Sequence, residues 1–405
     1  MKLRVTAWTA GLLMLAAATA VAQTRQEEAR KKREEKSQAL KPYTPPAVER
    51  GLLRLEEGGY IARFFNPPNG FFPQFGHLTP GAGLAIGGGY RANRIFGGHG
   101  DVLATASISN RRYFKAELTT RFPRLAGNRV FVDGTVHRSD FPEVIFHGLG
   151  PGSARGDRTS FTLRTTSVAG GGGLRVQPWL VVGQRFGYAS PSVSRGRKDD
   201  IPSIEQLFDE RTAPGLASQP AFLRADTYVD LDYRRPGPNA RRGGHYVAEY
   251  SRVADRDRGA YSFDQWRVDV QQYVSILDSH RTFVFRGLMS SASPTEGGEV
   301  PFYLQPWLGG SHLLRSVPSF RFRDRSLLLL QVEYRWQVLS FLSGALFYDR
   351  ATVAPDLASV VWKDMHDDYG FGLRFGGPAG VFVRTDFAFS GPEGNRFLLR
   401  FNNVF

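Results

Sequence analysis

The stretch R-F-L-L-R-F-N-N-V-F (396–405) closes the chain, and its period-2 reading sets Phe397, Leu399, Phe401 and Phe405 on one side. No polar residue follows the last aromatic. A row of large apolar groups facing one way suits the final strand of a barrel that pairs with the first strand and turns the row to lipid. The edge strand of a soluble sandwich is the competing reading of these ten residues alone.

The opposite end points to export. Lys2 and Arg4 precede a short apolar run, Ala10 to Ala20, and Ala20-Val21-Ala22 has the A-x-A form of a signal-peptidase site, so residues 1–22 read as a signal peptide. The run is too short to span a bilayer as a helix, and no later stretch approaches eighteen uncharged apolar residues. With no cysteine in the chain, disulfides and thiolate metal sites are excluded. Apolar residues make up 41% and mean hydropathy is −0.30. A helical membrane protein is far more apolar, whereas a barrel averages as soluble because lipid-facing and lumen-facing residues alternate. The 31 Phe, 15 Tyr and 45 Gly suit aromatic girdles and tight turns.

Alternation recurs through the chain. In Leu223 to Arg234, Ala225, Thr227, Val229, Leu231 and Tyr233 oppose Arg224, Asp226, Tyr228, Asp230, Asp232 and Arg234. A dry core would not bury that second face, but a watery lumen accepts it. The segments 369–376 and 381–390 repeat the pattern, with Arg374, Arg384 and Asp386 opposite the aromatic rows. Strands are predicted at 71–78, 82–93, 100–109, 112–122, 128–138, 158–168, 173–188, 223–234, 244–254, 260–275, 281–291, 326–337, 341–351, 367–376, 380–389 and 396–405. Gly170 to Gly173 reads as a turn within this scheme. The long connections 139–157, 189–222, 292–325 and 352–366 all fall on one side, opposite the C-terminus. The expected fold is all-β, a sixteen-stranded antiparallel transmembrane barrel of the outer membrane over 71–405. Residues 23–70 form a charged N-terminal segment, in which 47–65 is expected to hold a short amphipathic helix, lying either as a periplasmic tail or as a plug.

Several segments resemble the bacterial surface-antigen (BamA/TamA-like) outer-membrane barrel family. P-F-Y-L-Q-P-W-L-G-G-S-H-L-L-R-S-V (301–317) is similar to its sixth extracellular loop, where a Gly-Gly pair precedes a hydrophobic-Arg-Gly-aromatic tetrad. The strands L-L-L-L-Q-V-E-Y-R-W (327–336) and G-A-L-F-Y-D (344–349) follow it. D-Y-R-R-P-G-P-N-A-R-R-G-G (232–244) resembles the periplasmic turn after strand eight, with Asp232, Arg234, Arg242 and Gly243, and R-I-F-G-G-H-G (94–100) resembles an earlier turn. The resemblance implies a loop folded into the lumen and locked by Arg315 against Glu333 and Asp349, a charge-assisted and potentially bidentate pairing. Ser316-Val317 stands where the family has Gly-aromatic. Fewer than about fifty residues lie between Gln23 and the first strand, too few for a POTRA domain of about eighty, so the implied relatives are members lacking POTRA domains. The terminal row Phe397, Leu399, Phe401 and Phe405 resembles the signal by which outer-membrane proteins are recognised for insertion.

No catalytic, cofactor-binding or metal site is assigned. The eight histidines are scattered, and H-E-x-x-H, G-x-S-x-G and S-x-x-K are absent. His366-Asp367-Asp368 reads as a solvated acidic loop. Loss of residues 1–22 with Lys2 and Arg4 takes the net charge from +14 to +12. The clusters Arg234-Arg235, Arg241-Arg242 and Arg321-Phe322-Arg323 are placed at barrel rims, where phospholipid and lipopolysaccharide phosphates are the expected anions, rather than nucleic acid. The resemblance favours outer-membrane assembly or translocation of protein or lipid, with the assembly machinery as a partner in biogenesis and a polypeptide or lipid as substrate. A passive porin-like channel and a structural or adhesive surface protein are the alternatives.

Overall fold

A computed structural model describes residues 67–400, apart from 77, 80, 198–199, 236–239, 277–279, 296, 340, 378–379 and 392. The expected signal peptide, the charged segment with its amphipathic helix, and the last residues Phe401 and Phe405 lie outside these described residues.

Sixteen strands form one antiparallel sheet in which each strand pairs with its neighbour in sequence. They are β1 (Gly70–Gly76), β2 (Ala85–Ile95), β3 (Gly100–Ser109), β4 (Phe114–Leu125), β5 (Val130–Phe146), β6 (Thr159–Gln177), β7 (Leu180–Arg195) and β8 (Phe222–Asp232). The second half holds β9 (Gly243–Asp255), β10 (Phe263–Ile276), β11 (Arg281–Pro294), β12 (Ser326–Leu339), β13 (Leu342–Ala354), β14 (His366–Gly377), β15 (Gly380–Ser390) and β16 (Gly394–Arg400). Alternation decides their facing. Phe371, Phe387 and Phe397 are register partners across β14, β15 and β16, all pointing outward, with ring centroids 5.1 and 4.9 Å apart. Between them along the strands, Arg374, Arg384 and Asp386 are buried on the inner face. This is the outside-in arrangement of a transmembrane barrel.

The sequence reading of Gly170 to Gly173 as a turn is corrected: all four lie within β6, and the turn follows at 178–179. They close a crowded surface instead of bending the chain. A Cβ at Gly173 would stand 2.6 Å from the Phe131 ring, one at Gly171 2.5 Å from the Gln184 carbonyl, and one at Gly183 2.5 Å from the Tyr228 ring. Aromatic rings of neighbouring strands thus lie flat where side chains are missing.

At this end β5 and β7 run beyond their predicted limits, to Phe146 and Arg195, because with the start of β6 they continue into a second, apolar core. Loops 196–221 and 295–325 cross the strand ends there. Phe302 is fully buried, 5.1 Å from Phe146 and 5.0 Å from Phe161 between ring centroids, and its N–H donates to the Pro214 carbonyl at 2.8 Å. Ile204, Phe222, Val253, Phe263 and Val300 complete the cluster. Burial of this many large side chains, each worth about 1.5–3 kcal/mol, holds the loops together over the mouth of the sheet.

Candidate functional site

Loop 295–325 does more than cover the strand ends. After the Phe302–Leu304 turn it pairs Trp307–Leu308 with Phe322–Arg323 as a two-residue ribbon and sends residues 309–317 down along the inner faces of β11 to β15. Gly309 and Gly310 start the descent at φ +111° and +91°. A Cβ at Gly309 would lie 2.0 Å from the Pro318 carbonyl, so glycine is required there. Leu308, Leu314 and Val317 then bury against Leu288, Leu329, Ala351 and Val353.

That packing delivers Arg315 to the inner wall. Its Nη1 lies 2.8 Å from Glu333 Oε2 on β12 and its Nε lies 3.0 Å from Asp349 Oδ2 on β13. All three side chains are fully buried. The guanidinium spans two acids with one contact each, rather than gripping one carboxylate with both arms. Its N–H bonds are not aligned on the oxygens, so charge–charge attraction carries the contact. The guanidinium carbon also sits 3.8 Å from the centre of the Phe347 ring, two residues before Asp349 on the same face.

The Ser316-Val317 departure has a specific consequence. Ser316 donates both its backbone N–H, at 2.8 Å, and its hydroxyl, at 3.1 Å, to Asp368 Oδ2 on β14. Val317 enters the apolar cluster. Asp368 is a cross-strand partner of Asp349, and two buried like charges so placed are unfavourable unless compensated, which the Ser316 donors do at Asp368 and the Arg315 charge does at Asp349. The reading of His366-Asp367-Asp368 as a solvated loop is therefore corrected: these residues open β14, and Asp368 is fully buried.

Sequence reasoning missed the rest of the cluster. Glu333 also meets Arg335 Nε at 2.8 Å and Arg374 Nη2 at 3.1 Å. Arg374 Nη1 reaches Asp386 at 2.7 Å, Arg384 pairs with the same carboxylate, and Arg384 Nη2 donates to the Ser311 carbonyl of the loop at 3.3 Å. Four arginines (315, 335, 374, 384) thus face four carboxylates (333, 349, 368, 386). The inward alternation of Arg374, Arg384 and Asp386 was visible in the sequence, but their meeting depends on strand register.

At the other end of the barrel, the Asp232 carboxylate accepts from the backbone N–H of Arg234 and from its Nε at 2.9 Å and Nη2 at 2.7 Å. Arg235 bridges to Arg242, and Gly243, at φ +94°, leaves no room for a Cβ beside the Tyr233 carbonyl at 2.3 Å. Arg235 and Arg242 are exposed at this rim. Arg321 and Arg323 are not rim residues, which corrects the sequence reading. Arg321 is buried with Glu393 at 3.1 Å and donates to the Ser153 carbonyl at 2.9 Å, while Arg323 is buried beside Phe146, Phe302 and Phe320 and donates to the Phe302 carbonyl at 2.8 Å. Each reaches inward because the loop ribbon faces the covered core. Phe397 and Leu399 are exposed on the outer face of β16, and Leu398 between them is buried.

Residues 243–403, from β9 through β16, match the Omp85 superfamily domain. The fold is similar to that of BamA from Haemophilus ducreyi lacking POTRA domains 1–3, with a TM-score of 0.60 and 14% identity over 82% of this chain and 69% of that one. It is also similar to CdiB from Escherichia coli, with a TM-score of 0.52 and 12% identity over 82% of this chain and 61% of that one. No curated protein sequence matches it. The chain is an outer-membrane β-barrel with a BamA-like fold, and the described residues hold the barrel and no POTRA domain.

Proposed function

Taking an outer-membrane barrel with an Omp85 superfamily domain in β9 to β16 as the premise, we propose that the protein assists insertion or translocation of polypeptide or lipid at the outer membrane. Loop 295–325 is its latched element, and the long loops lie outside the cell, with the turns and C-terminus in the periplasm. The observation that carries this reading is Arg315, buried inside the sheet between Glu333 and Asp349. A passive pore gains nothing from a lumen crossed by a balanced buried ion cluster and capped by an apolar core. A device that must stay shut until a partner or substrate arrives does, because a buried pair resists opening and releases as a unit.

The chain is read as non-catalytic. Phe397 and Leu399, continued by Phe401 and Phe405, form the proposed signal read by the assembly machinery during biogenesis. Phospholipid phosphates suit exposed Arg235 and Arg242 at the turn rim, with lipopolysaccharide surrounding the loop side.

Reconstitution tests the function directly. Liposomes carrying the full chain should speed the insertion of a urea-unfolded small barrel several-fold over empty liposomes, and Arg315→Ala should remove the gain. Equal rates with and without the protein would contradict an assembly role.

A further inference from the structure

A cavity of about 810 Å³ lies within the barrel beside β10, β11, the infolded loop and β16. Arg267, Arg286, Arg396, Arg400 and His312 line it, and among the described residues no Asp or Glu does. The contrast with the neighbouring latch is chemical, since there each arginine is matched by a carboxylate. Here Asp269 is the nearby acid, 2.7 Å from Arg286 and 3.8 Å from Arg267. Among the described residues, Arg396 and Arg400 meet no carboxylate at ion-pair distance. Arg396 Nη1 donates to the Val317 carbonyl at 2.7 Å, and Arg400 Nη1 lies 3.2 Å from His312 Nε2. The loop also contributes Ser311, which lines the cavity with a buried hydroxyl that has no hydrogen-bond partner among the described residues. A buried donor left so is unfavourable until something accepts from it.

We propose that this cavity binds a phosphate-bearing anion through Arg396, Arg400, His312 and Ser311. Phosphate oxygens accept from guanidinium and hydroxyl donors together, and the net positive wall attracts the charge. Leu288, Leu304, Trp307 and Leu327 form an apolar wall of the same cavity, which suits an organic substituent on the phosphate. Phe397 and Leu399, exposed on the outer face of β16, also border it. The cavity therefore reaches the edge of a strand that faces lipid, and a phospholipid head group is a source of the anion alongside soluble phosphate.

The test is calorimetric titration of the full chain in an uncharged, phosphate-free detergent, with a soluble short-chain phosphatidylglycerol in one arm and inorganic phosphate in the other. Saturable one-to-one binding is expected, weakened roughly tenfold or more in Arg396→Gln/Arg400→Gln. Ser311→Ala and His312→Ala, in the loop and away from strand assembly, should each weaken it by a smaller factor, and Arg211→Gln, on the exposed loop 196–221 and outside the cavity, should not change it. Heat-modifiable gel mobility identifies the folded variants. Tighter binding of the lipid, with phosphate competing, assigns the membrane as source; binding of phosphate alone assigns a soluble anion. Absence of saturable binding in both arms, or binding unchanged in every folded cavity variant, would overturn the site.

Discussion

Arg315 Nη1 stands 2.8 Å from Glu333 Oε2, and neither side chain has any exposed surface. The two residues come from a loop and from β12, separated in sequence by the length of a returning ribbon, so their contact fixes the loop inside the sheet. Removing one partner leaves the other charged and buried. Arg315→Ala and Glu333→Gln should each lower stability by about 3–5 kcal/mol, and the double variant by much less than the sum. Urea unfolding in detergent, read by gel mobility, measures the cycle, and strict additivity would count against a coupled pair. Glu333 also pairs with Arg335 and Arg374, so Glu333→Gln strips a counter-charge from three arginines and its loss is expected to be the larger of the two.

Ser316 replaces a glycine expected from the family pattern and donates twice to Asp368. Ser316→Ala removes the hydroxyl bond and keeps the N–H, a loss of about 1.5–3 kcal/mol for a bond to a charged acceptor. Ser316→Gly should cost at least as much, since it adds backbone freedom. A neutral Ser316→Gly would make the departure from the family pattern inconsequential.

His147 gives the loop core a pH dependence. Burial, and then Arg321, Arg158 and Arg155, push it down to about 4 from an ordinary value near 6.5, and the Phe320 backbone partly opposes them. The folded state therefore binds fewer protons than the unfolded state between those values, so stability is retained above pH 6.5 and lost as pH falls toward 4. Protease sensitivity of the loops should rise through that window, and His147→Gln should flatten the rise.

Topology is tested at Arg211, whose side chain is 91% exposed in loop 196–221. Trypsin added to intact cells should cut after it. Cutting only once the outer membrane is breached would place the long loops in the periplasm and invert the orientation proposed above.

Much of the barrel was legible because lipid and lumen impose opposite chemistry on alternate residues. The strand predicted at 326–337 is observed at Ser326–Leu339, and the one at 367–376 is observed at His366–Gly377. Glycines broke the rule at 170–173, where the missing side chain of Gly173 makes room for Phe131 rather than for a turn, as Gly183 on β7 does for Tyr228. The candidate cluster was legible only in part. Arg315, Glu333 and Asp349 stood out by resemblance, whereas Arg374, Arg384, Asp368 and Ser316 join them through strand register and loop path. Neither is encoded in any local pattern. The burial of Arg321 and Arg323 was hidden for the same reason, since a loop arginine looks solvated until the loop's other contacts are known.

The most direct measurement of where the loop lies uses Leu314, buried next to Arg315, in a chain without native cysteine. Leu314→Cys supplies a single thiol. A membrane-impermeant maleimide should leave it unlabelled in the folded protein and label it readily after heating or in an Arg315→Ala background, while an exposed control, Ser359→Cys, reacts at once. Labelling of folded Leu314→Cys as fast as the control would place the loop in external water and contradict the latch.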